Sequence, residues 1–302
     1  MHRLVIYTLI PTLLLSSCRY FDSDRGSREE FNIPEELLED VPLEVATEVI
    51  DNLIQNVSSP IETAALIKGM NVPFNRDYMA DTRFASNMNT NFQMAMGLGI
   101  YGADLGYLNM YEKTSLVIDY ISTIRTLANG IQVGQFFDFN TLKRIATNKE
   151  NLDSLVLISQ QSFNRIDSYL RETNRASLSG VMVAGVWLEG LYISTRVAQD
   201  ANIPRVDETI GEQKVVLDNL MLLLRNYKRD PNVAALIADL EEIEDLFKEV
   251  RITYEYFPPT PIEKDGVLTY QQNDVQHVIM SRETLNKIID KVQTLRNKIL
   301  EG

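Results

Sequence analysis

Apolar residues recur every three or four positions along most of this chain, the period of helices with one buried face. Val45, Val49, Leu53 and Val57 form the first stripe, widened by Ile50 and Ile54. Ser59-Pro60-Ile61-Glu62 has the form of a capping box with proline at the first helical position, opening a helix that ends near Gly69 and Asn71. Residues 71–91, polar and rich in asparagine, read as a long loop with one short helical turn. Helices are then expected over 92–111, 113–133, 140–146, 149–172 and 177–199. Asp207 is read as the cap of another, with Leu217, Leu220, Leu224 and Tyr227 inward. Asp230-Pro231 starts the next, whose stripe is Leu236, Leu240, Ile243, Phe247 and Val250. Residues 254–272 hold three prolines and a Lys-Asp-Gly turn, a long excursion or small hairpin. The last helix, 275–300, places Leu285, Ile288, Ile289, Val292, Leu295 and Ile299 on one side. The pattern predicts an all-α array or bundle of about eight helices with a short hairpin-like excursion near 254–272.

Two of these helices carry more glycine than a helix tolerates without reason, since each costs about 1 kcal/mol relative to alanine. They are GLGIYGADLGYLNMY from Gly97 and GVMVAGVWLEGLY from Gly180. Shifting the chain by 83 residues superposes Gly97 on Gly180, Gly102 on Gly185, Leu105 on Leu188 and Leu108 on Leu191. This is the pattern of a weak internal duplication with halves 35–175 and 176–302, or of stacked helix pairs. It is imperfect: Asp104 falls on Trp187. Close crossing of two central helices at Gly97, Gly102, Gly180 and Gly185 explains the glycines, small residues letting backbones approach. Clearing space for a ligand is the competing explanation. The segments YGADLGY and GVWLEGLYI resemble an uncharacterised family of Bacteroidetes lipoproteins with YGADL and WxEGLY-type segments, over roughly residues 90–200. The resemblance implies a cell type and no activity.

Asp104 and Glu189 stand inside these apolar helices and, if buried, need hydrogen-bond donors. Arg125, Lys113 and Arg196 are the cations at hand. A structural ion pair is one reading. The other is a ligand-binding or acid–base pocket lined by Asp104, Glu189, Arg125 and the sole tryptophan, Trp187.

The N-terminus adds an address. His2 and Arg3, the apolar run 4–15 and Leu15-Ser16-Ser17-Cys18 resemble the signal peptide and lipobox of bacterial lipoproteins. The resemblance implies cleavage after residue 17 and lipidation of Cys18. The twelve-residue apolar run is too short to span a bilayer, which takes roughly 20. Residues 18–34 then form a flexible tether and 35–302 the helical domain. Arg19, where an aspartate would signal inner-membrane retention, points to the outer membrane; its periplasmic and surface faces both stay open.

Composition narrows the chemistry further. Cys18 is the only cysteine, so no intramolecular disulfide can form. With 29 lysines and arginines against 42 acids, the chain carries −13, which disfavours nucleic acid or anionic lipid as principal partner. After cleavage His277 is the one histidine left, too few for a Ser-His-Asp triad or a histidine metal site. Walker, nucleophile-elbow, HExxH and EF-hand motifs are missing from the sequence, and no cofactor or metal is expected. The expected function is an outer-membrane-anchored interaction or assembly module for other envelope proteins. The alternative is a small-ligand binder or carboxylate-dependent enzyme centred on Asp104 and Glu189.

Overall fold

Pro60 cannot donate a backbone N–H and is pre-set for a helix, so it opens α1, Pro60–Gly69. A computed structural model describes residues 60–146, 152–264 and 267–301. The lipobox with Cys18, the tether, the 45–57 stripe and Ser59 lie outside the described residues. Asn71, with φ of 60°, takes the left-handed conformation that terminates α1.

The loop after α1 holds two 3₁₀ turns, Arg76–Tyr78 and Thr82–Asn87, rather than the single turn expected. Asn75 and Asp81 each start one by accepting the N–H two residues on. A full capping box formed by Thr90 and Gln93 then begins α2, Asn91–Met110. The chain continues through α3 (Thr114–Gly130), α4 (Phe139–Ala146), α5 (Leu152–Glu172) and α6 (Ser177–Ala201). It goes on through α7 (Pro204–Arg225) and α8 (Pro231–Phe247). Asp230 caps α8 as its sequence suggests. Asp207, by contrast, does not cap α7. Ile203 holds that position ahead of Pro204, and Asp207 sits in the first turn, where its carboxylate suits the helix N-terminus and accepts from Arg282 at 3.1 Å.

Between α8 and α9 (Arg282–Glu301) the chain forms a nested β-ribbon. β1 (Arg251–Glu255) pairs antiparallel with β4 (Val275–Ile279), and β2 (Thr260–Lys264) with β3 (Val267–Gln271). The two pairs are joined across the prolines by side chains: Asn273 donates to the Pro258 carbonyl, and Asp274 accepts from Phe257 N–H at 3.1 Å. The final helix therefore begins at Arg282, not Val275. The apolar stripe starts only at Leu285, and Val-Gln-His-Val-Ile is a β-branched segment with a strand partner. His277 stands in that strand opposite Thr253. The ribbon is seated at its root, where Val278 fills the hollow over Gly211 and Lys214 donates to the Val250 carbonyl at 2.6 Å.

The described residues are all-α apart from that ribbon, and α2 and α6 lie at the centre of one apolar cluster. Both are buried on nearly every side, which is why their sequences lack a polar face. Among the described residues α6 alone is long and apolar enough to cross a membrane, yet 94% of that window is buried inside the protein.

The close approach of α2 and α6 falls at Gly99 and Gly185. A Cβ on Gly99 would collide with the Met182 carbonyl, and one on Gly185 would collide with the Met96 carbonyl while standing 3.2 Å from Gly99 Cα. Gly102, expected at the crossing, has open space where its Cβ would be. Gly97 faces the flexible Met88 side chain, and Gly180 has only ordinary contacts, with Leu224 Cδ2 at 3.4 Å. Two crossing helices touch backbone to backbone over about one turn, so the constraint falls on one residue of each.

Gly99→Ala and Gly185→Ala should each lower stability by about 1–3 kcal/mol, the cost of overpacking. Gly102→Ala should raise it by about 0.5–1 kcal/mol through helix propensity. Thermal unfolding of the three variants checks this; equal effects at Gly99 and Gly102 would contradict the crossing.

Candidate functional site

One turn beyond the crossing, α2 carries Asp104 and α6 carries Glu189, both fully buried. The structure brings these two predicted residues together, with a partner that was not among the expected cations. Arg296 of α9 donates to Glu189 through Nε at 3.0 Å and Nη2 at 2.8 Å, a bidentate pair. Its guanidinium also lies over the Tyr192 ring, 4.1 Å from the centroid.

Asp104 is held differently. Its Oδ2 accepts the Ala80 N–H at 3.0 Å, while Oδ1 is buried and meets no donor. Burial first, and then the neighbouring Glu189 charge, hold the Asp104 carboxyl well above the usual carboxylate range; Arg296 offsets only part of this. Two carboxylates and one guanidinium would leave a buried net charge. Burial beside Glu189 therefore favours the neutral form of Asp104, which would remove that net charge. Burial works against the Arg296 charge too, but Glu189 more than compensates and holds the guanidinium above its ordinary value.

The cluster also anchors the loop before α2. Ala80, wholly buried, gives its N–H to Asp104 and receives the Tyr120 hydroxyl on its carbonyl at 2.6 Å. Tyr101 donates to the Asp81 carbonyl at 3.0 Å, Tyr111 to the Val72 carbonyl at 2.8 Å, and Tyr107 Oη accepts the Asn75 N–H at 3.1 Å. Tyr78 donates to Asp200 at 2.7 Å, and burial followed by this bond pushes its phenol up to about 12. A polar loop is thereby fixed against the bundle by tyrosines from α2 and α3, with Tyr78 of the loop itself reaching back to α6.

The other expected site residues lie elsewhere. Arg125 is exposed and stacks on Phe139, 4.7 Å from the ring centroid, and Lys113 lies 4.9 Å from the Phe74 centroid. Arg196 stands beside the Tyr78–Asp200 pair. Trp187 is buried, its Nε1 without a hydrogen-bond partner. Among the described residues no three His, Cys, Asp or Glu side chains converge as a metal site requires. A surface cleft of about 220 Å³ lies instead at the ribbon root, bordered by Asp207, Val278, Met280, Arg282 and Leu285. None of the four predicted pocket residues lines it. The cluster thus binds helices and loop together, and its two carboxylates are wholly buried.

The ribbon is the opposite case. Apart from Ile118, Val215 and Leu222, every large apolar side chain exposed among the described residues stands on it. Tyr256 is 78% exposed, and Leu268 and Tyr270 are each 65% exposed. Sequence reading placed a hairpin there without assigning it a role, although its Tyr-Glu-Tyr-Phe and Leu-Thr-Tyr segments, far too apolar for a solvated turn, carried the signal.

No protein-family model, curated protein or solved structure matches the chain.

Because the buried Asp104 carboxyl releases its proton at higher pH when folded than when unfolded, the native state binds the extra proton between the two pKa values. Stability from this group therefore falls as pH rises from about 4 towards its elevated folded pKa. Asp104→Asn keeps the acceptor for Ala80 and a donor for Glu189 without needing the proton. Its stability relative to the parent chain should climb as pH rises above about 4 towards the elevated folded pKa, at up to about 1.4 kcal/mol per pH unit. Denaturant unfolding at several pH values measures this, and a pH-independent difference would contradict it. Arg296→Leu strands the Glu189 charge and should cost about 3–5 kcal/mol.

Proposed function

We propose that this chain is a lipid-anchored envelope protein whose helical bundle presents the β-ribbon as a surface for contact with protein. The observation that carries the reading is the concentration of exposed aromatic and aliphatic side chains on the ribbon, against a bundle that, among the described residues, exposes only Ile118, Val215 and Leu222 of its large apolar side chains. Soluble proteins seldom leave such patches unused, and patches rich in tyrosine are characteristic of interfaces. The bundle is a rigid support in this account, its carboxylates serving to lock helices rather than to react. In this reading the contact surface of the interaction module is the ribbon.

The anchor is read from the leader and Cys18, with Arg19 favouring the outer membrane; the YGADL and WxEGLY-type segments support a bacterial lipoprotein. Retention at a membrane by several acyl chains on Cys18 would confine the ribbon to the membrane surface. The net charge of −13 fits a protein partner better than nucleic acid.

Two measurements test this. Cys18→Ala should shift the chain from the membrane to the soluble or signal-retained fraction; unchanged fatty-acid labelling would remove the anchor. Photo-crosslinking residues at Tyr256 and Tyr270 in whole cells should give discrete protein adducts, whereas the same probe at Leu222 or Ile118 should not. Equal labelling from helix and ribbon positions would sink the assignment of the ribbon.

A further inference from the structure

The ribbon has two edges, and they are not equivalent. In the β2–β3 pair Pro261 stands opposite Tyr270, Ile262 opposite Thr269 and Glu263 opposite Leu268. Proline has no N–H for an exchange of hydrogen bonds, so Pro261–Tyr270 is a non-hydrogen-bonded pair. Alternation then makes Ile262–Thr269 hydrogen-bonded and Glu263–Leu268 non-hydrogen-bonded. The outward backbone groups of β2 therefore belong to Pro261 and Glu263, and the proline breaks that edge as a pairing surface. The outward groups of β3 belong to Leu268 and Tyr270, each with both N–H and C=O free for a further strand.

We infer that the β3 edge pairs with the β3 edge of a second copy of this chain, giving a continuous four-stranded antiparallel sheet across a two-fold axis at Thr269. The inference rests on reading the ribbon as the contact surface, and it names the partner. Its support is self-complementarity. Antiparallel pairing centred on Thr269 places Leu268 opposite Tyr270 of the other copy, and Tyr270 opposite its Leu268. These are the residues whose backbone groups face outward, so both pairs become hydrogen-bonded. Thr269 meets its own copy in the intervening non-hydrogen-bonded pair, the closer of the two spacings. Leucine against tyrosine and threonine against threonine are favourable cross-strand pairs. Charge selects the same place. Val-Leu-Thr-Tyr-Gln holds no ionisable residue that charges at neutral pH, whereas copies each carrying −13 repel one another elsewhere. The isolated two-stranded ribbon is a marginal unit that two added strands would complete. An interface of this size is weak between free molecules, and confinement to one membrane raises the effective concentration that it needs.

Disulfide trapping in the full-length chain on its own membranes tests the register. Under mild oxidation Thr269→Cys should give a covalent dimer, because only this position meets itself at close spacing. The parent chain, which controls for Cys18, and Thr260→Cys on the proline-broken strand should stay monomeric. Leu268→Pro removes one outward N–H without touching the β2 pairing, so adding it to Thr269→Cys should reduce trapping at least tenfold. Trapping at residue 269 abolished by Leu268→Pro supports the inference; no trapping at 269, or equal trapping at 260, overturns it. Photo-adducts from Tyr256 or Tyr270 to a different protein, with no trapping at 269, would overturn self-pairing while sparing the ribbon as a contact surface. Loss of both signals would remove both readings.

Discussion

Everything in the centre of this protein follows from two helices meeting at backbone distance. Gly99 of α2 and Gly185 of α6 leave no room for even a methyl group, and the carbonyls of Met96 and Met182 fill the space side chains would take. Because the helices approach so closely, the next turn of each brings Asp104 and Glu189 within reach of one another. That position would be untenable for two bare charges. Arg296 from the last helix answers the Glu189 charge and burial favours the neutral form of Asp104, so the crossing, the closing helix and the loop at Ala80 are tied into one network.

Such a network is weak evidence for stability in itself, since a buried ion pair often does little better than apolar residues of the same volume. Its consequence here is specificity. An array of apolar helices can slide or exchange neighbours, but a bidentate Arg296–Glu189 pair has one satisfactory register. The Asp104–Ala80 bond similarly admits one path for a loop that is otherwise polar and irregular. Most large apolar side chains exposed among the described residues stand on the ribbon. Buried charge and glycine thus shape the bundle, while the exposed aromatics stand on the ribbon.

Much of the helical fold was legible because apolar period and end signals agree. Asp230-Pro231 and the stripe Leu236 to Val250 needed nothing beyond local rules. Asp104 and Glu189 could be picked out as acids in apolar surroundings. Arg296 was legible in principle, since it lies four residues after Val292 on the buried stripe of α9, but it was masked by the other charges of that helix. Gly185 on α6 was among the glycines expected at the crossing, but the position of the crossing on α2 was not legible. Gly97, Gly99, Gly102 and Gly106 all suit a close contact, and only the angle and register of α6 select Gly99. Nor was the strand at Val275–Ile279, whose identity depends on Arg251–Glu255 across the ribbon rather than on its own neighbours. The tyrosine ties to the loop are likewise tertiary contacts with no local pattern.

The central claim is that the core holds a protonated Asp104 beside an ion pair, and infrared spectroscopy sees that proton directly. At neutral pH the spectrum of the folded chain minus that of Asp104→Asn should contain the carbonyl stretch of a protonated carboxylic acid, insensitive to moderate changes of external pH. A difference spectrum showing only an ionised carboxylate at that pH would mean that the cluster carries a buried net charge, and the account of the core would be wrong.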